Sequence, residues 1–182
     1  MATLPALQDW TFDVDFEGIA WAILDRKGES QNSLSRRVLE ELGEIIGAVD
    51  AGAKDKSIRG LAILSGKEKG YIVGADVREF ELIKTEQEVI DNIKTVNAAL
   101  DVLEGLPVPV VTGIHGFCLG GGLEVALACQ SRIAIDGARF GFPEVMLGLH
   151  PGLGGTARFT RLVNPMQAMT LMLTGKTIDA RK

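Results

Sequence analysis

From Val108 to Ile114 the chain is almost wholly apolar, and it then passes Gly116, Gly120, Gly121 and Gly122 into a second apolar stretch that ends near Cys129. An apolar run without alternation is a strand covered on both faces, which is the habit of parallel sheets layered with helices. Glycine is costly inside a helix, so three in a row mark tight backbone geometry or the close approach of another group. This junction of buried strand, glycines and helix constrains the fold more than any other segment. The rest of the chain repeats its logic. Gly60–Leu64 is a buried strand, Glu86 to Leu103 a helix that stops before Pro107, and Arg132 to Ile135 a further strand. Val38, Leu39, Leu42, Ile45, Ile46 and Val49 recur at helical spacing behind Ser35, a good N-cap. Pro151 to Gly155 is a second glycine-rich turn, followed by two helical stretches. Near the start, Trp10, Phe12, Val14 and Phe16 alternate with polar residues, and Glu17-Gly18 turns into Ile19–Leu24, which predicts a hairpin. Strands alternating with helices make an α/β fold with largely parallel pairing, and no linker or repeat divides residues 1–182 into more than one domain.

A net charge of −5 argues against non-specific binding to nucleic acid or an anionic membrane, although local lysines and arginines can still hold a small anion. The sequence contains neither a bilayer-length apolar run nor a basic-then-apolar leader, so the expected location is the cytoplasm. Cys118 and Cys129 lie in apolar surroundings without a CxxC or ligand cluster, and read as buried thiols rather than a disulfide or metal site.

Glu124 and Glu144 stand out as a pair. Glu124 follows the glycine run, where an acid also suits the positive end of a helix. Glu144 follows Phe140-Gly141-Phe142-Pro143 in an otherwise apolar stretch, where a charge is expensive unless it has work to do. Two carboxylates are what a site needs to take a proton from one atom and give one to another. Upstream, Asp76 and Glu79 have capping-box spacing ahead of a helical stretch. That is an ordinary cap, or a helix start whose free N–H groups receive a ligand oxygen beside the small Gly74 and Ala75. The glycine run argues against a nucleotide-binding P-loop, because neither GxxxxGK[ST] nor a clean GxGxxG after the strand with its acidic partner is present. His115 and His150 read as structural histidines, and GxSxG is absent.

The segments Ile72-Val73-Gly74-Ala75-Asp76, His115 through Glu124, Phe142-Pro143-Glu144-Val145, and Leu147-Gly148 through Thr156 resemble the enoyl-CoA hydratase/isomerase (crotonase) superfamily in order and spacing. Within it they are most similar to the N-terminal hydratase part of the multifunctional α-subunit of fatty-acid oxidation complexes. The resemblance implies a crotonase-type spiral of ββα units. It also implies that Ala75 and Gly121 present the backbone N–H groups of an oxyanion hole for a thioester carbonyl. Glu124 would then activate water, and Glu144 would hold the same water and deliver a proton to Cα. The implied reaction is syn addition of water to a trans-2-enoyl-CoA, giving a 3-hydroxyacyl-CoA in fatty-acid β-oxidation, with the CoA thioester as substrate and no cofactor. Gly74, Asp76, Gly120, Lys27 and Lys69 are the implied substrate-binding residues. Lys27 and Lys69 belong to basic loops, Arg26-Lys27 and Lys67-Glu68-Lys69-Gly70, that are either simply solvated or placed to meet CoA phosphates.

Isomerases of the family often keep one of the two glutamates, so the presence of both favours hydration. Double-bond isomerisation, other acyl-CoA enolate chemistry and a non-catalytic CoA-binding or assembly role are the alternatives. His150 stands where the family more often has an aliphatic residue, and no role is assigned to it. Thr174 to Lys182 reads as a turn and the start of a helix, an odd place for a domain to stop. The chain is therefore read as a C-terminally truncated crotonase domain, the N-terminal fragment of a larger protein. The resemblance implies homo-oligomers or a complex with a thiolase β-subunit for that larger protein.

Overall fold

Three times the chain runs through a long strand, a short strand and a helix, and each time the two strands enter different sheets. In the computed structural model, which describes Leu4 and residues 6–181, the fold opens with β1 (Trp10–Val14), β2 (Ile19–Leu24) and α1 (Arg36–Lys54). The first repeat is β3 (Gly60–Ser65), β4 (Gly70–Ile72) and α2 (Glu86–Glu104), with a 3-10 turn at Val77–Leu82. The second is β5 (Val110–Ile114), β6 (Phe117–Leu119) and α3 (Gly121–Ala128). The third is β7 (Ser131–Ala134), β8 (Arg139–Gly141) and α4 (Gly155–Leu162), interrupted by a 3-10 turn at Pro143–Leu147. Then come α5 (Pro165–Thr174) and β9 (Thr177–Asp179). The long strands form one sheet, ordered β1-β2-β3-β5-β7, and the short ones another, ordered β4-β6-β8-β9. Pairing is parallel except for the β1–β2 hairpin and the β8–β9 pair. This is the spiral of ββα units.

Helix α1 forms as its spacing dictates. Ser35 accepts a hydrogen bond from the Val38 N–H, and Val38, Leu42, Ile45, Ile46 and Val49 are buried on one face. Helix α2 is capped by Thr85 and lends only Leu100 and Leu103 to the core, so most of its surface faces water. Helix α3 is buried along its whole length and forms the centre against which the second sheet and α4 pack. No helix among the described residues is long and apolar enough to cross a membrane.

Four expectations need correction. Phe16 lies beyond the end of β1 in the hairpin turn and is wholly exposed, because the Asp15 carboxylate binds the Glu17 and Ile19 N–H groups and breaks the alternation there. The stretch after Asp76 is a 3-10 turn rather than a longer helix, and the capping box does not close. Asp76 accepts from the Arg78 N–H, but Glu79 accepts from the Arg36 N–H at the start of α1, so a distant partner displaces the local one. The glycine run contains a strand, β6, before its helix begins. Finally, Thr177–Asp179 is not the first turn of a helix but strand β9, whose backbone pairs with the edge of β8.

Candidate active site

The site is assembled where two repeats touch. Gly120 caps α3 with φ 52 and ψ −130, a conformation that side-chain-bearing residues rarely adopt. Gly122 meets β4 so closely that a Cβ on it would lie 2.3 Å from the Ile72 carbonyl oxygen. Both readings of the glycine run therefore hold: the turn is tight, and another backbone presses on it. That backbone continues into Gly74 and Ala75. A Cβ on Gly120 would be 3.5 Å from Gly74 Cα, and one on Gly121 would be 3.9 Å from the Ala75 nitrogen. The Ala75 N–H makes no hydrogen bond among the described residues: its neighbours Gly74 and Asp76 make the bridge to Leu34 instead. Gly121 is the first residue of α3, where an N–H has no carbonyl behind it. Two backbone N–H groups without a partner among the described residues thus lie close together beside the positive end of a buried helix.

Glu124, in the first turn of α3, is 2% exposed. Its Oε1 accepts from the N–H groups of Leu153 and Gly155, each at 2.7 Å. Burial pushes its carboxyl up to about 7. The Gly155 and Leu153 N–H groups oppose that rise, the neighbouring Glu144 adds to it and Arg158 opposes it. A Cβ on Gly155 would fall 2.9 Å from Glu124 Oε1, so the second glycine turn leaves room for this carboxylate.

Glu144 arrives from the opposite side on the 3-10 turn after β8. Phe142 is fully buried and meets Phe159 of α4 edge-on, with ring centroids 5.3 Å apart, which fastens this turn to the helix that begins at Gly155. Glu144 Oε1 lies 3.1 Å from where a Gly120 Cβ would be, while its Oε2 is buried with no partner among the described residues. Burial raises this carboxyl too, against its own backbone and the charge of His150. Glu144 is near enough to Glu124 for its charge to add to the rise of that carboxyl.

The remaining predicted residues divide. Gly74 and Gly120 line the junction. Asp76 sits beside it, yet its carboxylate is committed to Arg26 at 2.9 Å and Arg78 at 2.8 Å, and these cations hold it well below the usual range. The two basic loops are neighbours, because Lys67 spans them by binding Asp25 and the Arg26 carbonyl, each at 2.6 Å. Arg26 and Lys67 are thereby occupied, leaving Lys27 and Lys69 exposed at the surface. His115 binds the Lys67 carbonyl at 2.5 Å, a structural role as expected. Sequence reasoning missed the Leu153 and Gly155 donors. It also missed a groove of about 260 Å³ running from Ala75 along Ser33, Gln31 and Glu29 to Arg78. The density of glycines around residue 154 was the available signal for the donors.

The chain as a whole is similar to known proteins. Residues 16–182 match the family model for enoyl-CoA hydratase/isomerase. The chain is 43% identical to the fatty acid oxidation complex subunit alpha of Shewanella baltica over 168 residues, and 43% identical to that of Vibrio parahaemolyticus over 176 residues. These alignments cover 91% and 95% of this chain but 23% and 24% of the relatives, so the chain spans about a quarter of their length. An enoyl-CoA hydratase from Bacillus anthracis superposes with a TM-score of 0.85 at 34% identity, covering 96% of this chain and 66% of that one. One from Geobacillus kaustophilus gives 0.89 at 29%, covering 97% and 65%. With the family model matching residues 16–182 and the spiral of ββα units superposing on a solved enoyl-CoA hydratase, the chain belongs to the enoyl-CoA hydratase/isomerase family.

Proposed function

We propose that this chain is the enoyl-CoA hydratase part of a fatty-acid β-oxidation α-subunit, adding water to a trans-2-enoyl-CoA. The observation that carries the reading is two carboxyls raised by desolvation, Glu124 buried and Glu144 half-buried, at the same glycine junction as the Ala75 and Gly121 N–H groups, which have no partner among the described residues. Desolvation raises the proton affinity of both groups, which brings carboxyl chemistry closer to neutrality and lets one act as acid while the other acts as base. In the proposed reaction the water oxygen bonds to Cβ of the enoyl group and gives its proton to ionised Glu124. Charge shifts to the thioester oxygen, which accepts from Ala75 and Gly121. Protonated Glu144 then delivers its proton to Cα, and exchange with solvent returns the pair to its starting state. The net change is one water added. Two preorganised donors to the developing enolate lower the barrier by several kcal/mol.

The groove from Ala75 to Arg78 and the exposed Lys27 and Lys69 are assigned to the CoA moiety. Membership of a complex, with a thiolase as partner subunit or with further copies of the chain, belongs to the same proposal and rests on the relatives' name. The test is hydration of crotonyl-CoA, followed by loss of the conjugated thioester absorbance, alongside calorimetric titration with the acyl-CoA. Turnover that Glu124→Gln and Glu144→Gln each abolish supports the reading. Binding without turnover would overturn it in favour of a non-catalytic CoA-binding role.

A further inference from the structure

Arg158 ties the clamp on Glu124 to the rest of the molecule. It lies in α4 and is 7% exposed. On one side its Nη1 donates to the Leu153 carbonyl at 3.1 Å. On the other, Nε donates to Glu104 at 2.8 Å and Nη2 to Asp101 at 2.6 Å, both near the end of α2. Leu153 is therefore held at both ends: its N–H rests on Glu124 Oε1, and its carbonyl rests on Arg158. Gly154 makes the approach feasible, with φ 89 and no side chain where a Cβ would fall 2.1 Å from Nη1.

We propose that Arg158 is the positioning residue for Glu124, anchored to α2 by Asp101 and Glu104 so that the Leu153 and Gly155 N–H groups converge on a single carboxylate oxygen. Glu124 Oε2 then stays free of donors among the described hydrogen bonds, available to a reacting group. A buried arginine with two acid partners also brings positive charge toward Glu124 without needing water. The charged groups facing Glu124 are Glu144 from the 3-10 turn, which raises its proton affinity, and Arg158 from α4, which lowers it. His150 acts on Glu144, and Asp101 and Glu104 partly offset the arginine. Loss of Arg158 removes a cation and loosens two N–H donors, and both effects raise the proton affinity of Glu124.

The role rests on reading Glu124 as the base, so the test uses a readout that needs no turnover. The chain is labelled with carboxyl-¹³C glutamate and titrated by NMR, with Glu124→Gln to assign the Glu124 resonance. Arg158→Gln moves the Glu124 midpoint upward from about 7 by roughly one unit, Arg158→Lys moves it less, and Arg161→Gln, on the exposed side of α4, leaves it in place. Where crotonyl-CoA is turned over, Arg158→Gln lowers kcat on the order of 10²-fold with little change in KM. An unmoved midpoint in Arg158→Gln overturns the proposal. Arg158→Lys decides the matter if Arg158→Gln fails to fold: an unmoved midpoint together with a lowered melting temperature makes Arg158 purely structural. Failure of the hydratase reading would leave the titration result standing.

Discussion

Glu124 sits in the first turn of a wholly buried helix, with one oxygen fixed by two backbone donors. Glu144 sits on a short 3-10 turn beside the exposed Met146, Leu147 and Leu149, half-buried itself and with Oε2 unpartnered. Each side chain carries a carboxyl raised by burial, but one is held from both sides and the other leans in from a surface segment. On the proposed reading, the contrast teaches how a fold can hold a base rigidly while leaving its acid partner room to follow a proton. The firm group is placed by long-range packing, since Leu153 and Gly155 reach it across the fold. The looser one rides on a short turn fastened by Phe142 against Phe159 and by Val145 and Met146 close to Gly175 at the end of α5.

The largest effect that sharpens this comparison is on turnover. Glu124→Gln and Glu144→Gln each lower the hydration rate by about 10²–10⁴-fold. Shortening by one methylene separates them. Glu124→Asp withdraws the carboxylate from Leu153 and Gly155 and loses nearly as much as the amide, whereas Glu144→Asp keeps more activity. Steady-state kinetics of the four variants check this, and equal losses for the two aspartates would break the contrast.

Stability against pH comes next. Glu124 binds its proton more tightly folded than unfolded, so its contribution is most favourable below the ordinary glutamate range and declines until pH passes about 7. Glu124→Gln removes that decline, a difference of about 3 kcal/mol at most between pH 4 and 8.5. Glu144→Gln flattens the curve in the same direction by less. Urea unfolding at the two pH values measures both.

Gly122→Ala tests the close approach itself. The added methyl must displace the Ile72 carbonyl, and overpacking of this kind costs about 1–3 kcal/mol. The smallest effect is at the rim. Lys27→Ala and Lys69→Ala each raise KM for acyl-CoA by less than about fivefold, leave kcat unchanged and lessen the dependence of KM on salt.

The same contrast marks how far the sequence could be read. Elements with a period to detect were legible: the hairpin, α1 behind Ser35, α2, and the buried runs of β3 and β5. The strands of the second sheet were not, because β4, β6, β8 and β9 are three residues long and their partners lie in other repeats. Three residues cannot display an alternation. Glu124 and Glu144 were visible because a charge in an apolar stretch is conspicuous, and the glycines because their cost demands a reason. The donors on Leu153 and Gly155 left only an indirect mark, the glycines around residue 154, since a backbone N–H has no residue signature of its own. Glu79 misled for the complementary reason: its spacing fits a local box, and only the tertiary fold offers it the Arg36 N–H.

The most direct test of the paired-carboxylate account is to incubate the protein with crotonyl-CoA in D₂O and analyse the product by NMR and mass spectrometry. The account predicts 3-hydroxybutyryl-CoA with a single deuterium at C2 and an oxygen newly bound at C3. A product in which the double bond has moved or exchanged hydrogen while no water has added would contradict it.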